Sequence, residues 1–256
     1  MTSAHTPTDG VGSTSETENW PKVLAPLTPE EKDVHDRFMA QWHDLLPQKY
    51  GRIERFNHGM PVKMSRPGFH RTIEIGAGLG EHLNYEKLTP EQEREYYAVE
   101  LRPNMAERIF EAHPTVHAVV GDCQERLDFP DGYFDRYLAI HVLEHLPNLP
   151  SCIAEAWRLL DKSNGQLVAV IPCEGGLAYS FARRISSKRI FERTYGMSYS
   201  RFISREHLNV PTEILEELDR YFVLEKKRFF PFPWLSAVSP NLVIALSLRP
   251  RPDGPV

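Results

Sequence analysis

Cysteine is scarce in this 256-residue chain: Cys123, Cys152 and Cys173 stand far apart and are odd in number. Without a CxxC pair or an even set, zinc-ribbon, dithiol-redox and disulfide-framework architectures have no foundation, and a reducing compartment is the simpler expectation. Positive charge is not in surplus, since the formal net charge is -5 and the pI about 6.1. No global field then draws the chain to nucleic acid or a membrane, and no nucleic-acid partner is expected. Long apolar runs are missing too: no stretch approaches the ~18 residues that a membrane span needs. Met1 to Trp20 is rich in Thr, Ser and Glu and lacks the basic and apolar parts of a secretory leader. A cytoplasmic protein with no stable membrane insertion is the expectation. No internal repeat is visible.

What is present suits one sizeable core, with 41% of residues hydrophobic and 11% aromatic. Residues 1–26 are polar and are expected to form a disordered tail; 249–256, rich in proline, are expected to form a second. Between them, 27–248 reads as one domain with a lid inserted at about 174–212. A helix starts at Thr28, whose hydroxyl suits an N-cap, with Pro29 at the first helical position and Glu30 and Glu31 at the positive end of the dipole. Val34, Phe38, Trp42 and Leu45 or Leu46 recur at helical spacing. The next stretch, Lys49–His70, carries Gly, Pro and scattered aromatics and reads as a loop crossing the domain.

From Arg71 the chain becomes rhythmic. Strands are expected at Thr72–Ile75, Tyr96–Glu100, Val116–Val120, Tyr133–Ile140 and Gly165–Ile171, with helices at Asn104–Ala112 and Ser151–Leu160. Apolar strands alternating with helices imply a parallel sheet covered on both faces, a doubly wound α/β fold. Two more helices are read over Gly176–Tyr195 and Pro211–Arg220. The β-like runs Tyr221–Phe230 and Asn241–Leu248 then form an antiparallel pair at one edge, giving a mixed sheet of seven strands.

The segment Thr72-Ile-Glu-Ile-Gly-Ala-Gly-Leu-Gly80-Glu-His82 places Gly76, Gly78 and Gly80 directly after the first strand. Glycine there permits backbone angles and close approaches that a β-carbon obstructs, so a ligand can press against main chain at the carboxyl end of the sheet. A dinucleotide site asks for G-x-G-x-x-G/A. Counting from Gly76 the last position is Glu81, and counting from Gly78 it is Leu83. A carboxylate at that helix end repels a pyrophosphate, which disfavours a nicotinamide oxidoreductase.

The Glu-x-Gly-x-Gly-x-Gly pattern resembles the first motif of class I S-adenosylmethionine-dependent methyltransferases, of the type 11 kind. The resemblance continues through Glu100 at the end of the second strand, Gly121-Asp122-Cys123 after the third, and the run Phe129 to Leu146 with its Val-Leu-Glu-His turn. It implies a Rossmann-like methyltransferase fold, S-adenosylmethionine as cofactor, and cofactor contacts from Glu74, Gly76, Gly78, Gly80, Glu100, Leu101, Asp122, Cys123 and His141. Glu100 would take the ribose hydroxyls, and Asp122 the adenine amino group, with the main chain of Cys123 against the ring.

Methyl transfer asks the protein mainly to align the acceptor and exclude water, and an acceptor hydroxyl also asks for a base. His141, at the end of the fourth strand, is the first candidate, as a base or as a cofactor-lining residue. His145 is the second, with the alternative that its ring bonds to backbone within the Val-Leu-Glu-His turn. Glu144 lies between them, and a metal held by His141, Glu144 and His145 is considered and set aside, leaving no metal expected. In the insert, Arg183, Arg184, Lys188, Arg189 and Arg193 stand beside Tyr179, Phe181 and Phe191. They suit an anionic or glycosylated acceptor, an anionic membrane surface, or simply a solvated helix face. With Phe230 to Pro233 and Trp234 the insert forms a lid with an aromatic wall. The expected reaction is methyl transfer to a small-molecule or glycan-like acceptor at oxygen. Carbon methylation of a quinone-like ring and a catalytically silent cofactor-binding module are the alternatives. Oligomeric state is not indicated.

Overall fold

A computed structural model describes residues 20–24, 26–185, 187–199 and 205–256, at 35–36, 39–50, 182–185, 187 and 190 for the backbone alone. Among these residues seven strands form one sheet: β1 (Thr72–Ile75), β2 (Tyr96–Glu100), β3 (His117–Val120), β4 (Arg136–Ile140), β5 (Gln166–Pro172), β6 (Phe222–Phe230) and β7 (Val243–Pro250). Their order is β3-β2-β1-β4-β5-β7-β6, with β1 to β5 parallel and β7 antiparallel to both its neighbours. Seven helices accompany them: α1 (Pro29–Met64), α2 (Pro90–Arg94), α3 (Pro103–Ala112), α4 (Leu149–Leu159), α5 (Leu177–Ile185), α6 (Ser187–Tyr195) and α7 (Pro211–Tyr221). The doubly wound mixed sheet expected from the sequence is the one observed. Helix 176–195 is described as α5 and α6, with residue 186 outside the described residues.

All four residues of β1 and all seven of β5 are buried because both sheet faces are covered. On one face Ile73, Ile75, Val99 and Tyr137 pack with Cys152, Ile153 and Ala156 of α4 and Ile214 and Leu218 of α7. On the other, Tyr96, Ala98, Leu138 and Val170 meet Met64, Ile53, Phe56 and Met60 of α1 and Ile109 of α3. After β1 the chain turns to β2 and β3 on one side and later to β4 and β5 on the other. That reversal opens a crevice at the carboxyl ends of β1, β2 and β4, where sheets of this type hold ligands.

Three expectations are corrected. The stretch Lys49–His70 is not a loop: α1 runs through it to Met64, 36 residues in all, from a capping box in which Thr28 and Glu31 bond each other's backbone. Gly51 and Gly59 each cost a helix about 1 kcal/mol, but burying an apolar side chain of this size gains about 1.5–3 kcal/mol. Ile53, Phe56, Met60 and Met64 all pack against the sheet, so burial wins. The C-terminal segment is not a free tail. Strand β7 continues to Pro250, the Arg251 and Val256 amides donate to the Tyr221 and Arg220 carbonyls, and Trp157 Nε1 donates to Arg251 O at 2.8 Å. Of the N-terminal tail expected at 1–26, residues 1–19 and 25 lie outside the described residues, but Trp20 packs against the core. Lys22 donates from its amide to Pro147 O and from Nζ to Leu208 O and Glu213.

Candidate functional site

The turn after β1 carries its three glycines at φ +58° (Gly76), +60° (Gly78) and +78° (Gly80), a region that L side chains enter only at a cost. Gly76 also faces the turn after β4 so closely that a β-carbon on it would lie 2.5 Å from Val142 Cγ2. The two loops that frame the crevice therefore touch through a missing side chain. Four amides of this turn are engaged: Ala77 N–H donates to Val99 O, Gly78 N–H to Glu100 Oε2 at 3.1 Å, Leu79 N–H to Glu81 Oε2 at 3.0 Å, and Gly80 N–H to Ala77 O. Two of the four partners are carboxylates. Those two carboxylates occupy amides that a pyrophosphate would otherwise use.

Glu100, buried at the end of β2, ties this turn to the next. Its Oε1 accepts from both the amide and Nε of Arg102, while among the described residues Oε2 takes only Gly78. Oε2 keeps lone-pair capacity for a ligand hydroxyl. Leu101 beside it is 61% exposed. After β3, Asp122 accepts from the amide and side chain of Gln124, and Gln124 Oε1 in turn accepts from the Asn148 amide. Cys123 is buried, and a hydrogen bond with Cys152 together with burial pushes its thiol well above the ordinary range, so it is no nucleophile. Glu74 lies deeper. Its carboxylate accepts from Tyr96 OH at 2.7 Å, and burial raises its pKa.

His141 ends β4 at φ +52°, and among the described residues no other non-glycine residue has a positive φ. The amide stays bonded to Val170 O, and Nδ1 lies 3.0 Å from Glu144 Oε1. Burial alone raises a carboxyl, but the hydrogen bond from His141 and the nearby His141, His145 and His207 rings hold Glu144 at about 2. An ionised carboxylate only accepts, so Nδ1 carries a proton, and in the neutral ring Nε2 then holds the lone pair. That Nε2 is buried and has no hydrogen-bond partner among the described residues.

His145 is oriented differently. Its Nδ1 bonds the Glu206 carbonyl, and its Nε2 lies 3.9 Å from Glu144, beyond hydrogen-bond range. Burial pushes its pKa down, leaving a neutral ring tied to backbone. Among the described residues no three His, Cys, Asp or Glu side chains are placed to hold a metal ion.

The structure thus gathers the glycine turn, Glu100, Leu101, Asp122, Cys123 and His141 at the ends of four neighbouring strands. Glu74 is bonded to Tyr96 and His145 to the Glu206 carbonyl. The structure also adds groups that sequence reading missed. The returning end of the insert is stitched to the β4 turn: the Leu208 and Asn209 amides both donate to Glu144 O, and buried Asn209 donates from its side chain to Leu143 O and Leu146 O. His207 Nδ1 bonds Glu174 directly after β5, and its ring stands edge-on to His145 at 5.0 Å. These contacts join residues 33 to 66 positions apart and leave no local signal. Phe191, expected beside the acceptor, is instead buried with Val34, Phe38 and Tyr199 where α6 docks on α1. An apolar groove of about 280 Å³, lined by Leu215, Leu218, Phe229 and Val238 among others, involves none of these site residues.

Residues 73–169 match a family described as a methyltransferase domain. No curated protein matches the sequence significantly. Among solved structures, a protein from Pyrococcus horikoshii OT3 superposes with a TM-score of 0.57 at 16% identity, covering 82% of this chain and 98% of its own. An S-adenosylmethionine-dependent methyltransferase from Thermotoga maritima, described as a possible histamine N-methyltransferase, gives 0.53 at 18% identity over 84% and 98%. The 1,6-didemethyltoxoflavin-N1-methyltransferase of Burkholderia thailandensis, with 1,6-didemethyltoxoflavin and S-adenosylhomocysteine bound, gives 0.55 at 18% identity over 89% and 93%. At these identities the structures speak for the fold.

Proposed function

We propose that this chain, whose residues 73–169 match a methyltransferase-domain family, is a class I S-adenosylmethionine-dependent methyltransferase that methylates an oxygen of a small-molecule or carbohydrate-like acceptor, with His141 as base. The hydrogen-bond account of the glycine turn supports the way the cofactor is held. With the Gly78 and Leu79 amides already bonded to Glu100 and Glu81, the turn places carboxylates where a phosphate would sit and lends the crevice negative charge. That field suits a sulfonium and an α-amino group. S-adenosylmethionine supplies a methyl carbon activated by that sulfonium. Glu100 Oε2 receives a ribose hydroxyl, exposed Leu101 lies along the adenine, and Asp122 receives the adenine amino group.

The observation that carries the oxygen reading is the buried Nε2 of His141 at the end of β4, which has no partner among the described residues. An acceptor hydroxyl donates to that lone pair and passes its proton there as the oxygen attacks. Glu144, held ionised through Nδ1, stabilises the resulting imidazolium. His145 is assigned to holding the insert. A positioned base contributes about 10²–10⁴ in rate. His141→Ala is therefore expected to lower turnover by about that factor in an S-adenosylhomocysteine-release assay across hydroxyl-bearing acceptors, with calorimetric cofactor affinity changed less than about threefold. Equal loss of both would make His141 a lining residue. Cofactor binding with no turnover on any acceptor would favour the silent module, and turnover only on enolisable rings would favour carbon methylation.

A further inference from the structure

The loop between β6 and β7 and the start of α5 meet at the acceptor side of the sheet. β5 ends at Pro172, opposite Val243, so both segments emerge at its carboxyl edge. The Ala178 amide donates to Ser239 O at 2.9 Å, and a β-carbon on Gly176 would lie 2.9 Å from Val238 O. The Glu174–His207 pair, the His145 ring and Glu144 then lead inward to His141.

This rim is apolar where it faces water. Leu177 is 78% exposed, Phe181 65% and Trp234 73%, with Phe232 and Leu235 also exposed. Leu177 and Phe181 are four residues apart on α5 and share a face, and the Phe232 and Trp234 rings lie 5.7 Å apart. Single exposed apolar residues are ordinary, but five on two segments that meet at this edge mark a surface that meets something. Charge says what. Residues 177–193 contain five Lys or Arg and one acid, Glu192, in a chain whose net charge is -5. Arg189 and the β6 residues Lys226, Lys227 and Arg228 are exposed. Exposed Trp, Phe and Leu beside clustered cations are the composition of a surface that lies in an anionic lipid interface.

We propose that this rim docks on an anionic bilayer surface, so that the acceptor is presented on an amphiphile at that surface. The statement about the acceptor rests on the reading of the site given above; the docking does not. The test is co-sedimentation of the full chain with phosphatidylglycerol–phosphatidylcholine vesicles and with pure phosphatidylcholine vesicles, at low and high salt. The expected result is at least tenfold stronger partition onto the anionic vesicles, reduced by salt. Leu177→Ser/Phe181→Ser/Trp234→Ser should lose that preference, and Arg189→Glu should weaken it severalfold. S-adenosylhomocysteine affinity, measured in parallel, should be unchanged in both variants. Equal or absent partition of the natural chain would overturn the proposal, as would variants that partition like it. So would sedimentation velocity showing a dimer that the triple variant dissolves without any vesicle binding. Failure of S-adenosylhomocysteine to bind the natural chain would strike the site reading and leave the docking result standing.

Discussion

At His141 the backbone itself is informative. A histidine at φ +52° sits in a region that costs most L residues about 1–2 kcal/mol, and local strain of this kind persists where the surroundings over-determine it. Here the Val170 carbonyl holds the amide and Glu144 holds the ring. Glu144 contributes a pH signature. Its folded pKa of about 2 lies below the ordinary 4.5, so its stabilising contribution is present above about 4.5 and lost as pH falls toward 2. The shift corresponds to about 3 kcal/mol. In urea melts, the stability gap between the natural chain and Glu144→Gln is expected to narrow as pH drops through that window; a pH-independent gap would contradict the assignment. Asp122 offers a binding test. If it accepts the adenine amino group, Asp122→Ala weakens the cofactor by about 1–3 kcal/mol in calorimetry, and unchanged affinity rejects the role.

Among elements, the glycine turn separates two costs that sequence alone merges. Gly76 and Gly80 both have positive φ, but a β-carbon at Gly76 collides with Val142 at 2.5 Å, whereas at Gly80 the nearest atoms are at an ordinary 3.5 Å. Gly80→Ala should therefore lose about 1–2 kcal/mol of stability from backbone strain. Gly76→Ala should lose clearly more and weaken cofactor binding at least tenfold, because it pushes the β4 turn that carries His141. Equal losses in thermal melts would mean that Val142 moves aside freely. Helix α1 teaches the opposite lesson about glycine: Gly51 and Gly59 read as punctuation locally, yet the sheet face buries the residues around them.

For the whole molecule, closure depends on segments that composition marks as tails. The last residues latch α7 to α4 through Arg251, Trp157 and Val256. Truncation after Pro250 leaves the partly buried Trp157 indole and the end of α7 without these partners. It should lower stability by about 1–3 kcal/mol in denaturant melts; an unchanged midpoint would show that the latch is ornamental. At the other end, Lys22 bonds Pro147, Leu208 and Glu213, bringing the N-terminal side against the insert's return.

The seven strands, the glycine turn, Glu100, Asp122 and the His141 position were readable from residue order, because each rests on an interaction spanning a few residues: alternation of apolar positions, a positive φ, a residue closing a strand. Tertiary structure alone decided the rest. Glu81 and Glu100 occupy the turn's amides, Glu144 fixes the tautomer of His141, Asn209 and His207 anchor the insert, and Glu74 faces Tyr96. Most of these depend on partners brought from distant positions or on the direction a side chain takes after packing, and local propensity carries no record of either.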